Sequence, residues 1–207
     1  MANKTSDMKG LHMKRLIVAT VIAITGLAIY PATANAYVLI GKIWTSTANV
    51  KSPYVLSTNM PSAWTTRLST SNGKWNAFAN STLKTGSVTV TSSPSTFMNA
   101  AFTIDYQDLV QAYLINDPGL TTSLATSGNA AHVHLNSNWN WSTAFSANTV
   151  DLETVTVHEL GHAYGLHHST LGTGPFTQAA IDAVMNVTYT IKRTPNSDDI
   201  AGIAYLY

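Results

Sequence analysis

The alternation of apolar and polar residues along this chain predicts a series of short strands. Residues 87–91 alternate in this way, as half-buried strands do, and a short apolar run at 54–56 also has strand character. Turn-forming residues at 117–119 (Asp-Pro-Gly) and 127–129 (Ser-Gly-Asn) separate two of the later segments. The predicted strands are residues 54–56, 87–91, 101–105, 121–126 and 131–136.

A second periodicity, in which large residues recur every three or four positions, predicts helices. The first helical stripe comprises Trp64, Leu68, Ser71, Trp75 and Phe78. Ser62 is the predicted cap of this helix, and Gly73 weakens its middle by about 1 kcal/mol. We expect this stripe to pack against the sheet.

Two more helices are predicted in the second half of the chain. The segment 148–151 offers a cap and an acidic first turn for one, and Ser197 is the predicted cap of the other. Asp198 and Asp199 suit the positive end of this last helix. The apolar stripes contain Leu152, Val155 and Leu166 in the first helix, and Ile200, Ile203 and Leu206 or Tyr207 in the second.

The first 36 residues have the pattern of a secretory signal peptide. Lys9, Lys14 and Arg15 precede an apolar run at 16–29, and a small-residue cleavage site ends at Ala36. An uncleaved anchor helix is the alternative, although the run is shorter than the roughly 20 residues that span a bilayer. We therefore expect residues 37–207 to be exported without stable membrane association.

The hydrophobic content, the absence of cysteine and the net charge limit the number of domains and the classes of function that the chain can have. The hydrophobic content of 45% in 207 residues is enough for one core, so residues 37–207 are predicted to form one domain, acting as a monomer. Cysteine is absent, which excludes disulfides and thiolate ligands. Removing residues 1–36 leaves seven of the 11 basic and nine of the 10 acidic groups, a net charge of −2. No basic face for nucleic acid is indicated.

The strongest chemical signal lies at residues 158–168. His158 and His162 are one helical turn apart, so both imidazoles can reach one metal ion. Glu159 projects beside them, where its carboxylate can act as a general base without ligating the metal. Gly165 can end the helix and reverse the chain.

His168 can then return as the third ligand. Three neutral histidines leave the fourth position of tetrahedral zinc open for water, as in catalytic sites, whereas a structural zinc has four protein ligands. His167 is interpreted as a surface or supporting residue, and ligation by His167 in place of His168 is the alternative. The sequence thus predicts Zn²⁺ on His158, His162 and His168, with Glu159 as catalytic base.

This motif resembles that of the metzincin metallopeptidases, in which a third histidine follows a glycine turn. The chain is closest to the matrixins, whose last helix starts with a similar Ser-x-Asp-Asp-Ile and ends in Leu-Tyr, as at 197–207 here. The resemblance implies that Met185 lies in a tight turn beneath the zinc histidines and that Asp198 or Asp199 hydrogen-bonds near that turn. It also implies that Trp44 docks an N-terminal arm.

The resemblance further implies an α+β fold. A twisted mixed sheet of about five strands with three helices is expected, with the zinc cleft between this sheet-bearing part and a small C-terminal part. In such folds the edge strand pairs with an extended substrate. A second, structural zinc involving His132 or His134 is an alternative, but the family's His-x-Asp pair is missing, and hydrogen-bonded histidines are favoured.

Together these features predict a secreted zinc endopeptidase that acts on protein or peptide substrates. Zinc-bound water would attack the peptide carbonyl, with Glu159 taking the proton. The Asn-rich loop around Trp139 and Trp141 either packs against the sheet or binds Ca²⁺ through carbonyls. Two other functions remain open: a zinc-binding or adhesive module without turnover, and a zinc amidase acting on cell-wall peptides.

Overall fold

Five short strands form a mixed sheet at the centre of the fold. The computed structural model describes residues 37–40, 44, 51–76, 81–123, 130–170 and 175–207. The strands are β1 (Tyr54–Leu56), β2 (Thr89–Thr91), β3 (Phe102–Gln107), β4 (Gly119–Ser123) and β5 (Ala131–Asn136). Their order is β2-β1-β3-β5-β4, parallel except for the edge strand β4, which runs antiparallel to β5.

Three longer helices accompany the sheet: α1 (Thr65–Gly73), α4 (Leu152–Ala163) and α6 (Ser197–Leu206). Shorter elements are α2 (Pro94–Met98), α3 (Leu109–Tyr113), α5 (Gln178–Asp182), the 3₁₀ turns Ser62–Trp64 and Lys74–Asn76, and a parallel pair of β6 (Trp141–Ser142) and β7 (Val150–Asp151). The α+β prediction with a five-stranded mixed sheet is confirmed. The five-residue helices were not predicted because they are too short to carry a periodic apolar stripe.

Helix α4 packs on the sheet through the most enclosed side chains of the molecule. Leu152, Leu160 and Tyr164 are fully buried, together with Trp75 from the turn that follows α1. The indole of Trp75 donates to the carbonyl of Val157 at 3.2 Å, which ties α1 to the middle of α4. The helix that carries the histidine motif is therefore held rigidly by the core. Phe78 and the predicted signal peptide at 1–36 lie outside the described residues.

Two of the predicted helix caps are wrong. The first helical segment begins with a 3₁₀ turn in which the N–H of Trp64 donates to the carbonyl of Pro61, so the side chain of Ser62 makes no capping bond. At α6 the cap is Asn196, one residue before Ser197, because its amide oxygen accepts the N–H groups of the first turn. Asp199 completes a capping box with the backbone N–H of Asn196.

The cap of α4 falls within the predicted segment 148–151, at Asp151. Its Oδ1 accepts the N–H of Thr154 at 2.8 Å, and the guanidinium of Arg193 pairs with the same carboxylate. Burial by itself raises the pKa of Asp151, but the hydrogen bonds from Arg193 and Thr154 outweigh it and lower the pKa below its ordinary value. This ion pair links the start of α4 to the segment that precedes α6.

We expect Asp151→Asn to keep the cap but lose the ion pair, destabilising the protein by roughly 1–3 kcal/mol at pH 7. A carboxyl with a lowered pKa stabilises the folded state above its unfolded-state pKa of about 3.9, and this contribution is lost as the pH falls through the lower folded-state value. The deficit measured by urea unfolding should therefore shrink between pH 5 and about pH 2. A deficit that is independent of pH would contradict the ion-pair explanation.

The described N-terminal arm lies along the turn that follows α4. Ile40 donates its N–H to the carbonyl of Gly165 at 2.8 Å, and His167 donates to the carbonyl of Val38 at 2.7 Å. Trp44 is buried, and its indole donates to the carbonyl of Ala163 at 3.0 Å, as predicted for a residue that docks the arm. Within the described ranges, no helix is both long and apolar enough to cross a bilayer.

Candidate functional site

The three predicted histidine ligands converge at one point. Helix α4 presents His158 and His162 on one face, and Gly165 (φ 99°) reverses the chain after the helix. His168 returns from that turn, and one nitrogen from each of the three rings lies within 4.8 Å of the others. Within the described residues, these three form the only cluster of histidine and acidic side chains close enough to share an ion.

The tautomers of two of these rings are fixed by backbone carbonyls. His158 Nδ1 lies 2.7 Å from the carbonyl of Val184, and His162 Nδ1 lies 2.8 Å from the carbonyl of Leu166. A carbonyl can only accept, so both Nδ1 atoms carry the proton and both Nε2 atoms present lone pairs. Hydrogen bonds of this kind orient histidine ligands around metal ions.

The donor atoms fit a transition-metal cation such as Zn²⁺. Nε2 of His162 and Nε2 of His168 lie 3.3 Å apart, close enough for one cation to be bound by both nitrogens. Burial is the largest cause of the lowered pKa of both His162 and His168. The pKa of His168 falls to about 4. Both rings are therefore neutral at pH 7, which is the form that binds metal.

Glu159 lies next to this cluster as a buried carboxyl group. Burial raises its pKa above the ordinary value, against the opposing effects of His158 and of a hydrogen bond from Thr121. The Thr121 hydroxyl lies 2.7 Å from Glu159 Oε2. Gly119, two residues earlier on β4, leaves the space into which the glutamate side chain fits.

Met185 forms the floor beneath the motif helix. It is buried, and a Cβ added to Gly161 would lie 2.2 Å from its sulfur, so the methionine packs directly against α4 where the helix has no side chain. Asp199 accepts the N–H of Val184 at 2.9 Å and that of Met185 at 3.2 Å. The predicted methionine turn and its aspartate partner are both present, and Asp199 is the member of the acidic pair that makes these bonds.

A cleft of about 440 Å³ opens in front of the histidines. The edge strand β4 forms one wall, α4 forms the base, and residues 184–192 form the opposite wall. In this last segment the Tyr189 hydroxyl accepts the N–H of Asp151 at 2.8 Å, which fixes the wall to the start of α4. The histidine cluster and Glu159 both line this cleft.

Two histidines of the sheet, His132 and His134, bond within the protein. His134 Nδ1 lies 2.7 Å from Asp105 Oδ1, and its Nε2 lies 3.1 Å from the hydroxyl of Thr122. His132 Nδ1 lies 2.8 Å from the hydroxyl of Thr103. The interpretation of His132 and His134 as hydrogen-bonded residues of the sheet is thus supported by the described contacts.

His167 lies beside the cluster and outside it. Its Nδ1 accepts the backbone N–H of His168 at 2.7 Å, which occupies one lone pair of the ring.

The loop after β5 packs through Trp141, whose indole donates to the carbonyl of Asn136 at 2.8 Å and lies against Trp64. Calcium binding at this loop stays a prediction.

Sequence reasoning missed Thr121 and Gly119 as neighbours of Glu159. Residue 119 was assigned to a turn and residue 121 to an unremarkable strand. The two residues lie on the same face of β4, because alternate residues of a strand point to the same side of the sheet. Only the packing of α4 across that face identifies the residue they contact.

Comparison with known proteins agrees with this geometry. The family model of the matrixins, peptidases of the M10 type, matches residues 82–207. A segment of 79 residues, 38% of this chain, is 35% identical to karilysin from Tannerella forsythia. The aligned part spans only 14% of the length of karilysin, so the similarity concerns a small portion of that protein.

Proposed function

Because this chain belongs to the matrixin family, we propose that it is a zinc-dependent endopeptidase. The observation that carries the proposal is the convergence of three histidine nitrogens beside the buried carboxyl of Glu159. The karilysin similarity covers too little of that protein to assign a substrate. The substrate class, protein or peptide, is therefore inferred from the family and the cleft.

His158, His162 and His168 would hold the zinc ion through their exposed ring lone pairs. Bound zinc supplies a Lewis acid that polarises the peptide carbonyl and acidifies water. Glu159 accepts the proton of the attacking water at its carboxylate and delivers it to the nitrogen of the leaving amine. The raised pKa that burial gives Glu159 suits a group that must both take and release a proton.

The edge strand β4 would bind the substrate backbone. It is the last strand in the sheet order, so the peptide groups on its outer side have no neighbouring strand among the described residues. An extended peptide can pair with such an edge and pass in front of the histidine cluster. The low charge of the chain, with 10% charged residues, favours substrate recognition by backbone pairing and apolar contacts over ionic contacts.

Export is part of the same proposal. The signal-like segment at 1–36 predicts cleavage after Ala36, which would leave Tyr37 as the first residue of the exported protein. We propose that the protein acts outside the cell as a monomer. N-terminal sequencing of the protein recovered from the medium of a secreting host tests the cleavage site.

A chelation experiment tests the proposed activity. Protein purified from the culture medium is incubated with unfolded casein before and after treatment with 1,10-phenanthroline (about a hundredfold excess over the metal). We expect cleavage that stops on chelation and returns with added Zn²⁺. A protein that binds zinc but leaves casein intact would instead be a binding module. Release of fragments from cell-wall peptides without cleavage of casein would indicate an amidase.

A further inference from the structure

We propose that Thr121 is a positioning residue that fixes the carboxylate of Glu159 for proton transfer. This inference rests on the proposed function, since it concerns the same reaction. The side chain of Thr121 lies on the face of β4 that packs against α4, because Gly119 and Thr121 share that face. No feature of the histidine motif itself requires a hydroxyl at this position.

The contact between the two side chains is short and partly buried. Thr121 Oγ1 lies 2.7 Å from Glu159 Oε2 and 2.8 Å from the backbone oxygen of the same residue. A hydroxyl has one proton to donate, and an ionised carboxylate is the stronger of the two acceptors. The hydroxyl therefore donates to Oε2 whenever the glutamate is ionised, which leaves Oε1 to take the proton of the attacking water and pass it to the leaving amine.

Gly119 restricts the carboxylate from the other side. A Cβ added at position 119 would lie 2.7 Å from both Cγ and Oε1 of Glu159, and 2.8 Å from Val155 Cγ1. The glutamate side chain thus lies directly against the β4 backbone at Gly119 and is held by a hydroxyl two residues along. These two contacts define both the position and the orientation of the carboxylate.

Strand pairing gives no reason for a threonine at position 121. Its partner across the strand pair is Val133, a buried apolar residue of β5. Valine has the same shape as threonine and a high preference for strands, so it would suit the sheet equally well. The hydroxyl is therefore the difference between the two side chains, and both acceptors within its reach belong to Glu159.

The test compares Thr121→Val with Thr121→Ser in the zinc-loaded protein. Losing the hydroxyl is expected to lower kcat roughly tenfold to hundredfold, as for a hydrogen bond to a charged group, and to leave KM and zinc content unchanged. Serine keeps the hydroxyl and should restore most of kcat. Thr103→Val is a matched control, because the hydroxyl of this β3 threonine bonds to His132 and not to Glu159, and it should keep the wild-type kcat.

A crystal structure of Thr121→Val supplies a readout that does not depend on turnover. We expect the Glu159 carboxylate to rotate or to occupy more than one orientation, with the histidine cluster unchanged. An unchanged carboxylate, a wild-type kcat in Thr121→Val, or an equal loss in Thr121→Ser would each overturn the inference. Absence of proteolysis by the wild-type protein would instead refute the proposed function, and the crystallographic comparison would still decide the role of Thr121.

Discussion

Glu159→Gln is expected to lower kcat by roughly 10²–10⁴-fold, because an amide cannot accept the proton of the attacking water. The amide has almost the same shape as the carboxyl, and its oxygen can still accept the hydrogen bond from Thr121, so the fold should be unaffected. Zinc should stay bound, since the three histidine nitrogens form the cluster without the glutamate. The measurement is the initial rate of casein cleavage with zinc content determined on the same sample.

Two controls give this experiment its meaning. Thermal unfolding of the variant checks that lost activity is not lost structure, and equal zinc content checks that the metal site is intact. If Glu159→Gln cleaves casein at the wild-type rate, Glu159 is not the general base. If the variant loses its zinc as well, the carboxylate is a ligand and the three-histidine assignment is incomplete.

The second large effect is expected from Asp199→Ala, although Asp199 lies outside the histidine motif. Its buried carboxylate accepts three backbone N–H groups, from Val184, Met185 and Asn196. Burial raises the pKa of Asp199, and these three donors oppose that shift by favouring the ionised form. Alanine leaves the three N–H groups without this acceptor, which costs about 3–5 kcal/mol.

The same substitution should weaken zinc binding. The carbonyl of Val184 accepts from His158 Nδ1, so the bonds from Asp199 hold the backbone that orients a predicted ligand. Loss of such a supporting bond typically lowers metal affinity about 10–100-fold. We expect Tm to fall by roughly 10 °C and competition with a chromogenic chelator to reveal the weaker zinc affinity.

Asp182→Ala is the matched control for this prediction. Asp182 is an exposed acidic residue on the neighbouring helix α5, where it accepts from the side chain of Gln178. Its removal should change Tm by less than about 2 °C, as for most exposed substitutions. Equal losses of stability and zinc affinity in both variants would mean that Asp199 has no special role beneath the site.

The sequence predicted most of what is local in this site. His158 and His162 converge because residues four apart on a helix share a face, and this follows from helix geometry alone. Gly165 was recognised because a positive φ favours glycine, and its φ of 99° agrees. Family resemblance, and not periodicity, located Met185 and the acidic pair at the start of α6.

Two predictions were wrong because the local sequence allowed more than one assignment: the cap of α6 and the structural role of Gly119. Ser197 and Asn196 are both good helix caps, and the choice between them depends on which side chain reaches the first-turn N–H groups. Similarly, the glycine at 119 was assigned to a turn because Asp-Pro-Gly is a turn sequence. The structure places Gly119 in β4 instead, paired with Leu135, where the absence of a side chain accommodates Glu159.

The sequence by itself thus predicted the three histidines that converge, from their spacing along a helix and its closing turn, and the family resemblance it carries predicted the α+β class. Only the tertiary structure decided which groups support those residues. Thr121 reaches Glu159 from 38 positions away, and Val184 reaches His158 from 26 positions away. Such contacts depend on the register of β4 against β5 and on the path of the chain beneath α4, and no local pattern encodes them.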